Sequence, residues 1–212
     1  MRTTWEALLA SGDVVIADGG MGTMLIARGL QRGTAPELWN VERPDDVRAI
    51  HRAYIEAGAQ AILTNSFGGN RLRLELHGVS GRVGELNRAA ARLARAEADA
   101  ASRPVLVAGS MGPTGQMLAP MGTLSYDEAV AAFAEQAAAL KEGGADAAIV
   151  ETMSDPGEMV VAIRAARSVG DWPVIATYSF AHGEAGTFRT MMGTSVEDAV
   201  QAAMDAGADV VG

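Results

Sequence analysis

Short apolar runs alternate with longer amphipathic segments along most of this chain. The apolar runs are rich in Val, Ile, Leu and Ala, and we expect them to be buried strands at 14–17, 61–64, 105–108, 147–150, 174–178 and 209–212. Between them, apolar positions spaced as on one helix face predict helices that begin near Pro44, Asn70, Val83, Ser125, Asp155 and Ser195. This alternation predicts an α/β fold with a parallel sheet and right-handed crossovers.

The connections between these elements carry their own signals. Ser125 and Glu128 have the spacing of a capping box, and Asp155 precedes a proline at the first helical position. Similar segments, each with a glycine suited to a left-handed helix cap, join a helix to a strand at 57–60, 143–146 and 206–209. Because this connection recurs, we expect one repeated unit, with the loops after the strands all on the opposite edge of the sheet.

Two architectures fit this order of elements. A closed (β/α)8 TIM barrel typically needs about 250 residues, whereas this chain supplies five complete strands and the start of a sixth. An open, doubly wound sheet would be satisfied by that number of strands. The spacing of the elements therefore leaves both architectures open.

The composition limits the class of protein. With 212 residues, 49% hydrophobic and 20% charged, the chain is expected to form a single domain over 1–212 with a sizeable core. Its net charge of −9 disfavours nucleic acid as a partner. We find neither an apolar run of the roughly 18 to 20 residues that span a bilayer nor a secretory signal, so we expect no membrane association and a cytoplasmic location. The chain has no cysteine, hence no thiolate metal ligand and no cysteine nucleophile.

Polar and glycine-rich segments follow the predicted strands. They are 18–20, 64–67, 109–112 and Glu151, after the first, second, third and fourth strands. Ligands in parallel α/β folds bind at the carboxyl ends of the strands, so these segments predict one small-molecule site. Glu151 is its expected anchor, because a carboxylate that emerges from a buried strand needs a cation or a donor.

The histidines offer no metal site by their spacing. His51, His77 and His182 lack chelating intervals. We interpret His51 as a hydrogen-bonded packing residue and His77 as a loop or cap residue. His182 with Glu184, in the loop after the fifth predicted strand, is at best a poor ligand candidate.

Several spaced blocks of this sequence resemble the homocysteine S-methyltransferase family, which includes betaine-homocysteine methyltransferases and the homocysteine domain of cobalamin-dependent methionine synthase. The blocks are Asp18-Gly19-Gly20-Met21-Gly22-Thr23, Pro36-Glu37-Leu38-Trp39-Asn40, Leu63-Thr64-Asn65-Ser66-Phe67, Gly109-Ser110-Met111-Gly112-Pro113-Thr114-Gly115, Val150-Glu151-Thr152 and Arg189-Thr190-Met191-Met192-Gly193. The resemblance covers the whole chain and roughly the first two-thirds of the family's catalytic domain. It implies a TIM barrel, here incomplete, with about five βα units and the start of strand 6.

The resemblance also implies an activity and a substrate site. The enzyme would transfer a methyl group from a donor to the zinc-activated thiolate of homocysteine, forming methionine. Glu151 and Asp18 would accept hydrogen bonds from the homocysteine ammonium. Backbone amides around Gly19-Gly20 and Ser66-Phe67 would hold its carboxylate. A turn or capping role is the structural alternative for Asp18.

Three further residues of these blocks are site candidates. Thr64 and Asn65 belong to the substrate block after the second strand, and Trp39 resembles an aromatic on the donor side, where a trimethylammonium would rest on the ring. The structural alternatives are a loop residue bonded to the backbone for Asn65 and simple packing for Trp39. The donor itself stays open among betaine, a methylcorrinoid and methylfolate, with blocks 36–40 and 189–193 most similar to bacterial betaine-type members.

The departure from the family concerns the metal. The family's zinc ligands are three cysteines that come later in the domain, and this chain has none. We therefore expect a homocysteine-binding domain truncated before the zinc-cysteine segments, without a catalytic or metal-binding residue of its own and inactive alone. Unpaired sheet edges would favour a homo-oligomer or a completing chain. The alternatives are a non-catalytic split-barrel module that needs a partner chain, and a different (β/α)8 enzyme that binds phosphate at its glycine loops.

Overall fold

The computed structural model describes residues 3–10, 12, 14–183 and 186–212. The helices are α1 (Trp5–Leu9), α2 (Met21–Ala27), α3 (Trp39–Glu42), α4 (Pro44–Glu56), α5 (Arg71–Glu75), α6 (Val83–Ala100), α7 (Tyr126–Gly143), α8 (Pro156–Ser168) and α9 (Val196–Ala206). The strands are β1 (Ala61–Leu63), β2 (Leu106–Met111), β3 (Ala147–Met153), β4 (Val174–Tyr178), β5 (Phe180–His182), β6 (Phe188–Thr190) and β7 (Val210–Val211). Within the described ranges, no helix is long and apolar enough to cross a membrane.

Five strands form one parallel sheet in the order β1-β2-β3-β4-β7. Each strand of this sheet therefore lies beside the one that precedes it in the chain. A doubly wound sheet reverses its strand order at a switch point, whereas a barrel adds every new strand beside the last. The sequential order confirms the incomplete α/β barrel and rejects the doubly wound alternative.

Two predicted elements differ from the structure at the edges of this sheet. The expected first strand, 14–17, makes only a parallel bridge from Ala17 to Ala61. This segment pairs on one side alone, and Val14 is 85% exposed. The segment therefore gains little buried apolar surface that would stabilise a longer strand. The segment 179–193, where no strand was predicted, contains the antiparallel pair of β5 and β6.

Alternate residues of the strands face two separate apolar layers. Ile62 and Val107 pack with α4 and α6 on the helix side of the sheet. Their neighbours along the strands form a cluster on the other, inner face, namely Ala61, Leu106, Ala108 and Ala147. Trp5 and Leu8 of α1 pack against this inner cluster.

The helix caps follow the sequence signals. Ser125 and Glu128 form both bonds of the capping box at the start of α7, and Asp155 Oδ1 accepts a hydrogen bond from the Gly157 amide before α8. Gly144 and Gly207 end α7 and α9 in the left-handed conformation, each with φ 102°. These caps fix where each helix begins or ends. They thereby help to position the strands of the sheet and the polar residues that follow those strands.

Candidate functional site

One cleft lies at the carboxyl ends of the parallel strands, where the sequence predicts a small-molecule site. Its volume is about 510 Å³, within the range of about 300–1,000 Å³ common for ligand pockets. All the predicted substrate-binding residues lie in its wall: Asp18, Gly19, Gly20, Thr64, Asn65, Ser66, Phe67 and Glu151. Met21, Gly22, Pro36, Glu37, Leu63, Gly68, Arg73, His77 and Ser110 complete the lining.

Glu151 reaches the cleft from the inner face of the sheet at the end of β3. Ser110 continues the inner-facing row of β2, and its Oγ donates a hydrogen bond to Glu151 Oε1 at 2.5 Å. The pairing of β3 with β4 shifts between Val150 and Met153, and Thr152 inside this bulge has φ 62°. Bulges near functional sites re-aim side chains, and this bulge sets the direction in which Glu151 leaves the strand.

Asp18 enters the cleft from the segment that bridges to β1. Its Oδ2 accepts a hydrogen bond from the Leu63 amide at 2.9 Å. Its Oδ1 is buried and has no hydrogen-bond partner among the residues that the structure describes. A buried polar atom without a partner costs about 1–3 kcal/mol. This oxygen is therefore a ready position for a donor that belongs to a ligand.

The two carboxyl groups lie close enough to influence each other. Burial raises the pKa of Asp18 to about 7, against the opposing hydrogen bond from Leu63, and the charge of Glu151 raises this pKa further. Burial also raises the pKa of Glu151, while the Ser110 hydroxyl opposes that rise. A cation held between the two groups would favour the charged form of both. The pair is thus suited to a ligand with a positive charge and several hydrogen-bond donors.

The segment after β1 forms one wall through a network of hydroxyl groups. Thr64 Oγ1 and Ser66 Oγ are 2.6 Å apart, and Thr64 Oγ1 accepts a hydrogen bond from the Ser110 amide at 2.9 Å. Ser66 Oγ also lies 2.8 Å from the Ser110 carbonyl oxygen. These bonds tie the wall to β2, on which the partner of Glu151 lies. Thr64 and Ser66 therefore position the site through their side chains.

Backbone amides on two sides of the cleft remain available for an anionic group. Within the described part of the chain, the amides of Gly19, Gly20 and Phe67 donate no hydrogen bond, whereas the Ser66 amide donates to the Thr64 carbonyl. The Asn65 side chain donates to the Pro36 carbonyl at 2.8 Å and to Asn40 at 3.0 Å. Asn65 thus supports the loop, as its structural alternative proposed, although it also lines the cleft.

Trp39 lies outside this cleft. Its side chain is only 6% exposed and packs with Leu25, Leu30, Val47 and Ile50. The guanidinium carbon of Arg43 lies 4.0 Å from the centre of its ring. A protein cation thus already lies over the ring, where the sequence placed a trimethylammonium. The position of Trp39 agrees with its alternative role in packing.

Among the lining residues that were not predicted candidates, four have polar or charged side chains: Ser110, Glu37, Arg73 and His77. Ser110 and Glu37 belong to quoted blocks, and the alternation along β2 would have placed Ser110 on the inner face. Glu37 is buried, and its Oε1 accepts a hydrogen bond from the Gly68 amide at 2.7 Å. Arg73 and His77 are four residues apart, and residues at this spacing lie on the same face of a helix. This spacing was the signal in the sequence that could have placed them together.

The other histidines lie away from the cleft. His51 is buried, as expected, but neither ring nitrogen has a hydrogen-bond partner in the described ranges, so the expectation of a hydrogen bond is wrong. Burial lowers its pKa to about 4. His182 is exposed on β5 with its ring against Phe188, and Glu184 lies outside the described residues.

The described residues do not assemble a metal site. Among them, no group of three or more His, Cys, Asp or Glu side chains could hold a metal ion. The cleft offers Asp18, Glu37, Glu151 and His77 as its only titratable groups besides Arg73 within those residues. These side chains do not form a zinc-binding set, and the sequence has no cysteine to complete one.

Comparisons with known proteins agree on one family. A family model described as homocysteine S-methyltransferase matches residues 15–212. The methionine synthase of Mycobacterium tuberculosis is 35% identical over 211 residues, which covers 94% of this chain. The methionine synthase of Mycobacterium leprae is 33% identical over the same length. The chain spans 17% of the length of each of these relatives.

Solved structures show the same fold. The metallated form of the homocysteine methyltransferase MmuM from Escherichia coli superposes with a TM-score of 0.79 at 24% identity, covering 95% of this chain and 74% of that one. Its oxidized form gives a TM-score of 0.79 at 25% identity, covering 94% and 72%. The likeness supports the barrel architecture, of which this chain carries an incomplete set of strands.

Proposed function

This chain belongs to the homocysteine S-methyltransferase family, and from that premise we propose that it binds homocysteine for the transfer of a methyl group to the homocysteine sulfur, which forms methionine. The observation that carries the proposal is the carboxyl pair of Asp18 and Glu151 in one cleft, with Asp18 Oδ1 lacking a partner among the described residues.

The amino group of homocysteine matches this pair. An ammonium carries three donors and no acceptor, and a charged carboxylate carries acceptors and no donor. It would give Asp18 Oδ1 its missing partner and would offset the repulsion between the two acids. Hydrogen bonds between charged groups are the strong ones in proteins, and burial in the cleft strengthens them further.

The carboxylate of homocysteine matches the free amides. In this proposal the amides of Gly19, Gly20 and Phe67 donate to it, because they donate to no other described residue. The ammonium and the carboxylate together would fix both ends of the amino-acid backbone. The thiol-bearing side chain then extends into the remaining volume of the cleft, where the methyl donor would meet it.

Activation of the sulfur is not assigned to this chain. A thiolate attacks a methyl group far better than a thiol. In this family a zinc ion held by cysteines keeps the homocysteine sulfur in the thiolate form. Zinc does not fit the residues present here, so we derive no step through it. We propose that the activating ligands lie outside these 212 residues and that this chain alone does not methylate homocysteine. The donor remains open among betaine, a methylcorrinoid and methylfolate.

Isothermal titration calorimetry of the chain tests the proposal. Homocysteine should bind, and 4-mercaptobutanoate, which lacks the amino group, should bind at least about tenfold more weakly. Asp18→Asn and Glu151→Gln should each weaken homocysteine binding by about 10- to 100-fold. Asp171→Asn is the matched control, since Asp171 is exposed and its side chain makes no hydrogen bond or ion pair to a described residue. Equal affinity for both ligands would contradict the proposal.

A further inference from the structure

Arg73 is a cleft residue whose charge the homocysteine site does not use. It lies on α5 and is half-buried, yet its guanidinium makes neither a hydrogen bond nor an ion pair to any described residue. The other arginines without such a partner in the described ranges are Arg32, Arg92 and Arg164, and all three are exposed. A half-buried guanidinium that faces a cleft and has no partner is suited to an anion brought by a ligand.

The loop after β2 packs against one side of this guanidinium. Gly115 has φ 78°, and a Cβ added to it would lie 2.8 Å from Arg73 Nη1. The backbone at Gly115 thus packs closely against the Arg73 side chain, and a larger residue at this position would require the guanidinium to shift. The guanidinium therefore has this loop on one side and lines the cleft with the rest of its surface.

Nearby charges leave the positive charge of Arg73 available. Glu37 is buried with its Oε1 on the Gly68 amide, and it forms no ion pair with Arg73. Burial raises the pKa of Glu37, and the charges of His77 and Arg73 oppose that rise. The cleft therefore has an acidic pair at Asp18 and Glu151 and a second, basic group at Arg73 and His77.

Homocysteine would bring no counterion of its own to this basic group. In the proposed function its ammonium is held by the acidic pair and its carboxylate by the backbone amides, and it has no further negative group. The cleft of about 510 Å³ is of a size that holds drug-sized ligands, so a small amino acid leaves room for a second molecule. Each candidate donor carries an anion: betaine and methylfolate have carboxylates, and a methylcorrinoid has a phosphate.

We propose that Arg73, assisted by His77, binds the carboxylate or phosphate of the methyl donor and so selects an anionic donor. This inference rests on the proposed function. Arg73 acts here as a specificity-determining residue that contacts the donor away from the transferred methyl group. An arginine suits the task because its planar guanidinium pairs with a carboxylate or a phosphate through two parallel hydrogen bonds.

Calorimetric titration of the chain, with and without saturating homocysteine, tests the proposal. The probes are glycine betaine, methyltetrahydrofolate and methylcobalamin, with choline as the analogue of betaine that lacks the carboxylate. At least one anionic probe should bind, and Arg73→Gln should weaken that binding by about 10- to 100-fold. Arg92→Gln, which removes an exposed arginine of α6, should leave it unchanged. If betaine is the donor, choline should bind weakly to both proteins.

Homocysteine affinity separates this inference from the proposed function and reports on folding. Arg73→Gln should leave homocysteine binding within about twofold of the unmodified chain. If Arg73→Gln weakened homocysteine binding as much as it weakened binding of the anionic probe, Arg73 would be a homocysteine-binding residue and the inference would be overturned. Absence of binding by every anionic probe, or binding that is insensitive to Arg73→Gln, would also overturn it. If homocysteine does not bind but an anionic probe binds through Arg73, the proposed function fails and the anion site stands.

Discussion

Asp18→Asn should stabilise the unliganded chain at alkaline pH while weakening its binding of homocysteine. In the folded chain, burial raises the pKa of Asp18 from 3.8 to about 7. A carboxyl whose folded pKa exceeds its unfolded pKa contributes stability below about pH 4, and that contribution is lost as the pH rises through 7. Each unit between the two values corresponds to about 1.36 kcal/mol, so the loss is at most about 4 kcal/mol.

Urea unfolding at several pH values between 5 and 8.5 measures this loss. Between these limits, the free energy of unfolding of the unmodified chain should fall by about 2 to 4 kcal/mol more than that of Asp18→Asn. The asparagine can still accept the hydrogen bond from the Leu63 amide, so its folded state keeps that contact. Asp171→Asn should retain the pH dependence of the unmodified chain. A parallel pH dependence in Asp18→Asn and the unmodified chain would refute the assignment of Asp18 as a buried, strained carboxyl.

Three further measurements probe the same site. Homocysteine binding near pH 6.5 should release protons, because the ammonium favours charged Asp18; calorimetry in two buffers of different ionisation enthalpy measures this, and proton uptake would contradict it. Ser110→Ala removes the hydroxyl that opposes the raised pKa of Glu151, so homocysteine binding at pH 7 should weaken by about tenfold and recover in part at pH 8.5; a loss that does not depend on pH would contradict this role. Thr152→Asn should stabilise the chain by about 0.5 to 1 kcal/mol in urea unfolding, because asparagine tolerates φ 62° better than a β-branched residue; destabilisation would show that the threonine side chain compensates for its backbone.

Strands buried on both faces were the easiest elements to predict. The segments 147–150 and 174–178 are rich in Ala, Val and Ile, and β3 and β4 begin at the predicted residues, although β3 continues to Met153. The segment 14–17 has the same composition but makes only a bridge, because its pairing depends on neighbours that composition does not reveal. The β5 and β6 pair was not predicted for a similar reason. Its contacts join residues of the two strands, such as the rings of His182 and Phe188, and the sequence alone does not show which residues will be paired.

The candidate site was predicted from strand ends and family resemblance, and its details needed the structure. A carboxylate after a buried run identified Glu151, and the common edge of parallel strands placed Asp18 in the same cleft. The unpartnered Asp18 Oδ1 and the bulge at Thr152 depend on exact backbone paths that no motif encodes. The surroundings of Trp39 also needed the structure, because a buried ring under Arg43 and a ring that faces a ligand look identical in sequence.

The most direct test of the account is a crystal structure of this chain with homocysteine bound. We expect the homocysteine nitrogen within about 2.7–3.2 Å of Asp18 Oδ1 and of a carboxylate oxygen of Glu151, with its carboxylate on the amides of Gly19, Gly20 or Phe67. A homocysteine whose carboxylate lies on Arg73 and whose nitrogen faces solvent would contradict the central claim that the two acids hold the amino group.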